Sequence, residues 1–124
     1  MKKKIMLVDD NPDFIYMVKR SLERFGDEYE VTSANGGKEC FEFLKKGNVP
    51  DIILLDIMMP GTDGWTLFAK LKERPEWREI PIVFLTAKTD EYSKGFGKIT
   101  ANDYIEKPFE IMDLKERIDK VLSR

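Results

Sequence analysis

Three apolar runs and one further strand-like segment, each ending in polar residues, constrain the fold of this chain more than any other feature. The four segments occupy residues 5–8, 52–55, 81–85 and 104–106. The polar residues that follow them or close them are Asp9 and Asp10, Asp56, Thr86, and Lys107. Uninterrupted apolar runs of this length are typical of strands covered on both faces of a parallel sheet. We therefore expect three acids, a hydroxyl and an ammonium group at the edge where the strands end.

Helical patterns separate these segments and predict an α/β fold. Strands are predicted at 4–8, 29–33, 51–55, 80–86 and 103–106, and helices at about 12–25, 38–47, 64–74, 89–101 and 111–122. This alternation predicts a doubly wound, five-stranded parallel sheet, in which ligands bind at the carboxyl ends of the strands. The helix at 89–101 is marginal, because Gly95 and Gly97 each cost a helix about 0.5–1 kcal/mol relative to Ala.

Length and charge exclude several classes of protein. The 124 residues predict a single domain, 1–124. With 21 basic and 23 acidic residues, a formal charge of -2 and no basic stripe, nothing indicates direct nucleic-acid binding. No run reaches the ~18 apolar residues of a membrane helix, and the first run stops at Val8, too early for a signal peptide. The lone Cys40 falls in an apolar helical pattern that predicts a buried thiol. We expect a cytoplasmic protein.

The three acids predict a metal site. The chain contains no histidine, so its chemistry must depend on carboxylates, hydroxyls, lysines and metal. Mg²⁺ prefers oxygen ligands and usually takes one or two carboxylates. Carboxylates crowded without a cation repel one another. Alternatively, Asp9 caps the first helix or loop and Asp56 begins a turn. That interpretation suits any single Asp, but three acids opposite a lysine favour the metal site.

The same group of residues is suited to phosphoryl chemistry. A carboxylate can attack phosphorus and form an aspartyl phosphate. The reaction needs a metal and a second cation to neutralise the phosphoryl oxygens, and a hydroxyl or backbone N–H for the remaining oxygen. Asp56, with Lys107 and Thr86 nearby, would meet these needs. Pro108 restricts the backbone directly after Lys107.

Four motifs make the chain resemble the receiver domains of two-component response regulators, the chemotaxis-regulator-like family. The motifs are LVDD at 7–10, LLDIMMPGTDG at 54–64, FLTA at 84–87 and DYIEKPF at 103–109. The resemblance covers essentially the whole chain. It implies a flavodoxin-like fold with strand order 2-1-3-4-5. It also implies a phosphoacceptor in signalling, not an enzyme.

The resemblance assigns roles to the acidic residues. Asp56 would accept a phosphoryl group from a histidine kinase or a phosphotransfer protein. Asp10 and Asp56 would bind Mg²⁺ or Mn²⁺ directly, Asp9 would act mainly through water, and Met58 would offer its backbone carbonyl.

The resemblance also implies a conformational switch. Lys107 would pair with the phosphoryl group, Thr86 would move to bond it, and Tyr104 would turn inward as Thr86 moves. The Lys107–Pro108 peptide bond would be cis. The altered surface, near residues 89–109, would signal to an unidentified downstream protein, with the chain a monomer or a phosphorylation-dependent homodimer.

A few positions depart from the common pattern of the family. Thr100-Ala101-Asn102 replaces the usual Gly-Ala before the last strand, so the start of that strand is expected to differ. Met58 and Lys88 stand two positions after Asp56 and Thr86, where family members tune the lifetime of the phosphorylated form.

Three other functions fit the sequence less well. An aspartate-nucleophile phosphatase has a second Asp two positions after the nucleophile, where this chain has Met58. A flavodoxin-like FMN protein needs a hydroxyl- and glycine-rich loop where this chain has Asp9 and Asp10. A receiver that only binds partners would not require the full set of acids, threonine and lysine.

Overall fold

Five parallel strands and four α-helices form the part of the chain that the computed structural model describes, residues 2–57, 64–87, 103–107 and 109–123. The strands are β1 (Lys3–Val8), β2 (Tyr29–Ala34), β3 (Ile52–Asp56), β4 (Ile82–Ala87) and β5 (Asp103–Lys107). The helices are α1 (Pro12–Glu23), α2 (Gly37–Lys45), α3 (Gly64–Glu73) and α4 (Ile111–Leu122), and a 3₁₀ turn spans Gly26–Glu28. No helix within these ranges is long and apolar enough to cross a membrane.

The sheet has the order β2-β1-β3-β4-β5, and every neighbouring pair is parallel. The predicted doubly wound fold and its strand order are therefore confirmed. From β1 the chain connects to β2 on one side, and from β2 it crosses to β3 on the other side of β1. The strand order therefore reverses between β1 and β3. In the register of these strands Val8 lies opposite Leu55. The residues that follow β1 and end β3 consequently meet at the switch point, where ligands bind in such sheets.

The strands bury side chains on both faces of the sheet. Along β1, Ile5 and Leu7 belong to the apolar cluster beneath α1 and α4. Met6 and Val8 point the other way, into the cluster beneath α2 and α3. This two-sided burial explains the continuous apolar runs. Cys40 lies in the second cluster, as predicted, and burial raises the pKa of its thiol to about 12.

The start of α1 follows the sequence signals closely. The Asn11 side chain accepts hydrogen bonds from the backbone N–H groups of Asp13 and Phe14 at 3.0 and 3.2 Å, and Pro12 takes the first helical position. Side-chain capping by Asn and a first-turn proline both favour helix initiation. The capped end of α1 therefore begins three residues after β1, directly beside the carboxyl edge of the sheet.

Several element boundaries differ from prediction by one or a few residues. β3, β4 and β5 continue through Asp56, Ala87 and Lys107, because each gains a partner in the neighbouring strand. Asp56 and Lys107 are thus the last residues of strands and not the residues that follow them. The 3₁₀ turn was not predicted. The marginal helix predicted at 89–101 lies outside the described residues.

A charged network lies at the amino edge of the sheet, opposite the site edge. The Asp119 carboxylate accepts hydrogen bonds from Lys115 Nζ at 2.7 Å, Tyr29 Oη at 2.6 Å and Lys3 Nζ at 3.1 Å. Lys115 Nζ also reaches Glu28 Oε1 at 3.1 Å. These contacts join Lys115 and Asp119 of α4 to β1, β2 and the 3₁₀ turn.

The Asp119 network makes stability depend on pH. Burial opposes the charge of Asp119, but the hydrogen bonds from Lys115, Tyr29 and Lys3 outweigh it and hold the pKa of this carboxyl below its usual value. A carboxyl whose pKa is lower in the folded state stabilises the fold at pH values above its unfolded pKa of about 3.9. This stabilisation is lost as the pH falls through the folded pKa. We therefore expect Asp119→Asn to cost more stability at about pH 6 than at about pH 2. Urea unfolding at both pH values tests this, with Asp113→Asn, on the exposed face of the same helix, as the matched control.

The backbone of α3 approaches β3 more closely than a side chain permits. A Cβ at Gly64 would lie 2.6 Å from the Asp56 carbonyl oxygen and 2.7 Å from Ile57 Cα. The Gly64 N–H donates to the Ile57 carbonyl at 2.7 Å. The absence of a side chain at position 64 thus lets the start of α3 hold the backbone that carries Asp56.

We predict that Gly64→Ala lowers the free energy of unfolding by about 1–3 kcal/mol, because backbone atoms must shift to admit the methyl group. Urea unfolding measures the change. Gly36→Ala is the control, since a Cβ there meets no atom within 4 Å, and it should cost no more than about 1 kcal/mol as an N-cap replacement. Equal losses in the two variants would contradict this account.

Candidate functional site

Three carboxylates meet at the carboxyl edge of the sheet. One oxygen from each of Asp9, Asp10 and Asp56 lies within 4.8 Å of the other two. Asp9 is 1% exposed and Asp56 8% exposed, whereas Asp10 is exposed. Buried carboxylates are rare unless they are paired or bind metal. The cluster predicted from the sequence is therefore present, and it could bind a metal ion.

Asp9 is fixed by the strand and helix on either side of it. Its backbone N–H donates to the carbonyl of Ala34, the last residue of β2, at 3.1 Å, which extends the β1–β2 pairing one residue past the end of β1. Its Oδ1 accepts from the Asn11 N–H at 2.9 Å. The interpretation of Asp9 as a loop cap is thus correct for one of its oxygens. The other oxygen, Oδ2, faces the site.

Lys107 brings one positive charge to the cluster. Its Nζ lies 3.1 Å from Asp9 Oδ2 and 3.7 Å from Asp56 Oδ1. Lys107 ends β5, opposite Ala87 at the end of β4. Three ionised carboxylates and one ammonium carry a formal charge of about −2, which a divalent cation would balance.

An aromatic pair borders Lys107. The Phe14 ring centroid is 4.1 Å from Lys107 Nζ, and the Phe14 and Phe109 rings meet edge to face with centroids 6.0 Å apart. With Met17, these residues line a depression beside the ammonium group. Sequence reasoning missed this role for Phe14, because its helical spacing indicated only a core residue.

The remaining predicted site residues are placed by their backbone alone. Thr86 pairs with Glu106, and Tyr104 pairs with Phe84, in the β4–β5 ladder. Thr86 thus lies on β4, next to β3, and Tyr104 lies on β5, one strand further out. The orientations of their side chains remain a prediction. Met58, Lys88 and Pro108 lie outside the described residues.

The fold and the acidic cluster together agree with the comparison to known families. The family model for the response regulator receiver domain matches residues 5–119. This chain belongs to that family. As a receiver domain of two-component response regulators, it carries its cluster of acids at the carboxyl edge of the sheet, where the apolar runs of the sequence predicted it.

Relatives of this receiver domain are response regulators. The chain is 37% identical, over an alignment of 127 residues, to the alkaline phosphatase synthesis transcriptional regulatory protein PhoP of Bacillus subtilis; the alignment covers 100% of this chain and 50% of PhoP. It is 36% identical to the response regulator SaeR of Staphylococcus aureus, over 97% of this chain and 50% of SaeR. The receiver domain thus spans about half the length of these curated relatives.

Solved structures agree with this assignment. A putative response regulator from Chloroflexus aurantiacus superimposes with a TM-score of 0.91 at 35% identity, over 100% of both chains. The chemotaxis response regulator CheY4 of Vibrio cholerae superimposes with a TM-score of 0.85 at 28% identity, over 98% of this chain and 99% of CheY4.

Repulsion within the acidic cluster should lower stability when no cation is bound. We predict that Asp10→Asn raises the free energy of unfolding in EDTA, because it removes one of three mutually repelling charges. The wild type should gain stability on addition of MgCl₂, since a ligand that binds only the folded state stabilises it, and Asp10→Asn should gain much less. Asp27→Asn, which removes a fully exposed carboxylate at the other end of the sheet, should respond to MgCl₂ like the wild type. Equal gains in all three proteins would argue against metal binding here.

Proposed function

We propose that this receiver domain is a phosphoacceptor, in which Asp56 takes a phosphoryl group from a histidine kinase or a phosphotransfer protein. The observation that carries the proposal is the joint position of Asp9, Asp10, Asp56 and Lys107 at one sheet edge. An Asp56 oxygen attacks phosphorus while the P–N bond of the phosphohistidine breaks, and its electron pair remains on the imidazole. The product is an acyl phosphate on Asp56.

The donor set suits Mg²⁺ or Mn²⁺, which are hard cations that favour oxygen ligands. Asp10 and Asp56 would hold the ion directly, with the Met58 carbonyl as a further ligand. Asp9 would act mainly through water, and its contacts support this, because its two oxygens already accept from the Asn11 N–H and from Lys107. A bound ion supplies positive charge that neutralises phosphoryl oxygens.

Lys107 would supply a second positive charge, beside that of the metal ion, to neutralise the phosphoryl oxygens. Its Nζ is already 3.7 Å from Asp56 Oδ1, so it needs only a small movement from Asp9 to reach an oxygen of the acyl phosphate. Pre-positioned cations of this kind stabilise the charge of the transition state without reorganisation during the reaction.

Phosphorylation would then act as a switch. It adds about two negative charges at Asp56. The Thr86 hydroxyl would move to bond the phosphoryl group and Tyr104 would turn inward behind it, which changes the surface formed near residues 89–109. The register of β4 and β5, which places Thr86 and Tyr104 on adjacent strands, supports this coupling.

The relatives and the charge of the chain guide our proposals on its cellular location, oligomeric state and partner. The relatives are response regulators, and this chain aligns with about half of their length. We propose that residues 1–124 act as one receiver unit in the cytoplasm, as a monomer or a phosphorylation-dependent homodimer, and signal to an unidentified protein. The formal charge of -2 favours a protein partner over direct contact with nucleic acid.

The alternative of a phosphatase that turns over substrate requires a general acid near Asp56. Sequence position 58, where such enzymes have Asp, is Met58. A methionine thioether cannot donate a proton to a leaving group. We therefore propose a chain that stores the phosphoryl group and does not hydrolyse phosphate esters.

Incubation with acetyl phosphate and MgCl₂ should add one phosphoryl group, a mass gain of about 80 Da in intact-protein mass spectrometry. Asp56→Asn should show no gain, whereas Asp27→Asn should match the wild type. EDTA should prevent the reaction in every variant. An unmodified wild type, or a modified Asp56→Asn, would contradict the proposal.

A further inference from the structure

The Lys107 ammonium group lies against an aromatic ring that the proposed chemistry does not itself require. Its Nζ is 4.1 Å from the Phe14 ring centroid. The other cation–ring contacts among the described residues measure 4.8–5.9 Å. A cation at this distance is attracted to the negative face of the ring.

The Phe14 ring is held in place independently of Lys107. Its backbone N–H donates to the Asn11 side chain at 3.2 Å, which fixes it in the first turn of α1. Its half-buried ring packs against the cluster beneath α1 and α4 and meets Phe109 at an interplanar angle of 80°. The ring therefore presents a fixed surface beside the site.

Lys107 needs such a surface because its other contacts are shared. A lysine side chain is a flexible four-carbon stem with a single point charge. Its two carboxylate partners, Asp9 at 3.1 Å and Asp56 at 3.7 Å, belong to the same cluster that a divalent cation would occupy. A bound cation would compete with the Lys107 ammonium group for these carboxylate oxygens and weaken the two ion pairs. The contact with Phe14 involves no carboxylate and would persist.

We propose that Phe14 is a positioning residue, which keeps the Lys107 ammonium group within reach of Asp56 when the carboxylates are engaged by metal and a phosphoryl group. The proposal rests on the phosphoacceptor function. A leucine at position 14 fills much of the same space and maintains the helix, but it offers no ring face to the ammonium. The role therefore depends on the aromatic ring and not on bulk alone.

The first test compares rates of phosphorylation. With acetyl phosphate and saturating MgCl₂, Phe14→Leu should react about threefold to tenfold more slowly than the wild type, since the cation–ring contact is lost. Phe14→Tyr, which keeps the ring, should recover most of the rate. The control on the same helix is Tyr16→Leu, which removes an exposed ring that lies near Arg20 and should leave the rate unchanged.

The second test observes the contact directly and does not depend on activity. In protein labelled with ¹³C-lysine, the ring current of Phe14 should shift the ε-methylene resonance of Lys107, which Lys107→Arg identifies by its disappearance. Phe14→Leu should move this resonance to the range of the exposed lysines, with and without MgCl₂, and Phe14→Tyr should leave it near its original position.

These outcomes separate the positioning role from the phosphoacceptor function. If the wild type is phosphorylated and Phe14→Leu reacts at the same rate, the positioning role of Phe14 is overturned and the phosphoacceptor function stands. The role of Phe14 is also overturned if Phe14→Leu reacts slowly while the Lys107 resonance keeps its position. It is likewise overturned if Phe14→Tyr reacts as slowly as Phe14→Leu. A wild type that does not react at all overturns the function itself, while the Lys107 resonance still reports the contact.

Discussion

The parallel pairing of β1 with β3 is the constraint on which the site depends. Val8 opposite Leu55 brings the acids that follow β1 against the acid that ends β3. The repulsion between these carboxylates works against folding, and it has to be offset by nearby positive charge. Lys107 supplies one charge from the end of β5. The remaining negative charge makes the cluster suited to a divalent cation.

The fold and most of the site were predictable because the signals are local. Continuous apolar runs identified the strands, and Asn11-Pro12 identified the start of α1. Parallel pairing then placed Asp9, Asp10, Asp56 and Lys107 at one edge without any knowledge of their contacts.

Other features were not predictable because they depend on geometry between distant residues. Helical spacing assigns Phe14 to a buried face but does not reveal which cation will lie over its ring. The hydrogen bond between Tyr29 and Asp119 joins residues 90 positions apart, and neither residue has a distinctive sequence context. The extension of β5 through Lys107 depends on its partner Ala87 in β4. The strand order 2-1-3-4-5 came from family resemblance, since alternation of strands and helices is compatible with more than one order.

Stability and chemistry are separated in this domain. The apolar clusters on both faces of the sheet and the charged network at the amino edge favour the folded state. The carboxyl edge carries crowded acids that oppose it, as is common for functional sites, which are rarely optimised for stability. Gly64 connects the two, because the close approach of α3 that it permits holds the Asp56 backbone within the packed part of the structure.

Helix α4 runs between the two edges of the sheet, and its two ends are held differently. In its C-terminal half, Asp119 is tied to β1 and β2 through Lys3 and Tyr29. Lys115, nearer the middle of the helix, bonds Asp119 and Glu28 of the 3₁₀ turn. The first turn of α4 follows Phe109, whose ring touches Phe14 beside Lys107. A helix of this length is about 18 Å long, so a small rotation about the tied end becomes a displacement of an ångström or more at the other. Because Asp119 anchors α4 at the amino edge, any tilt of this helix would displace its first turn, beside Phe109 and Lys107, more than its last.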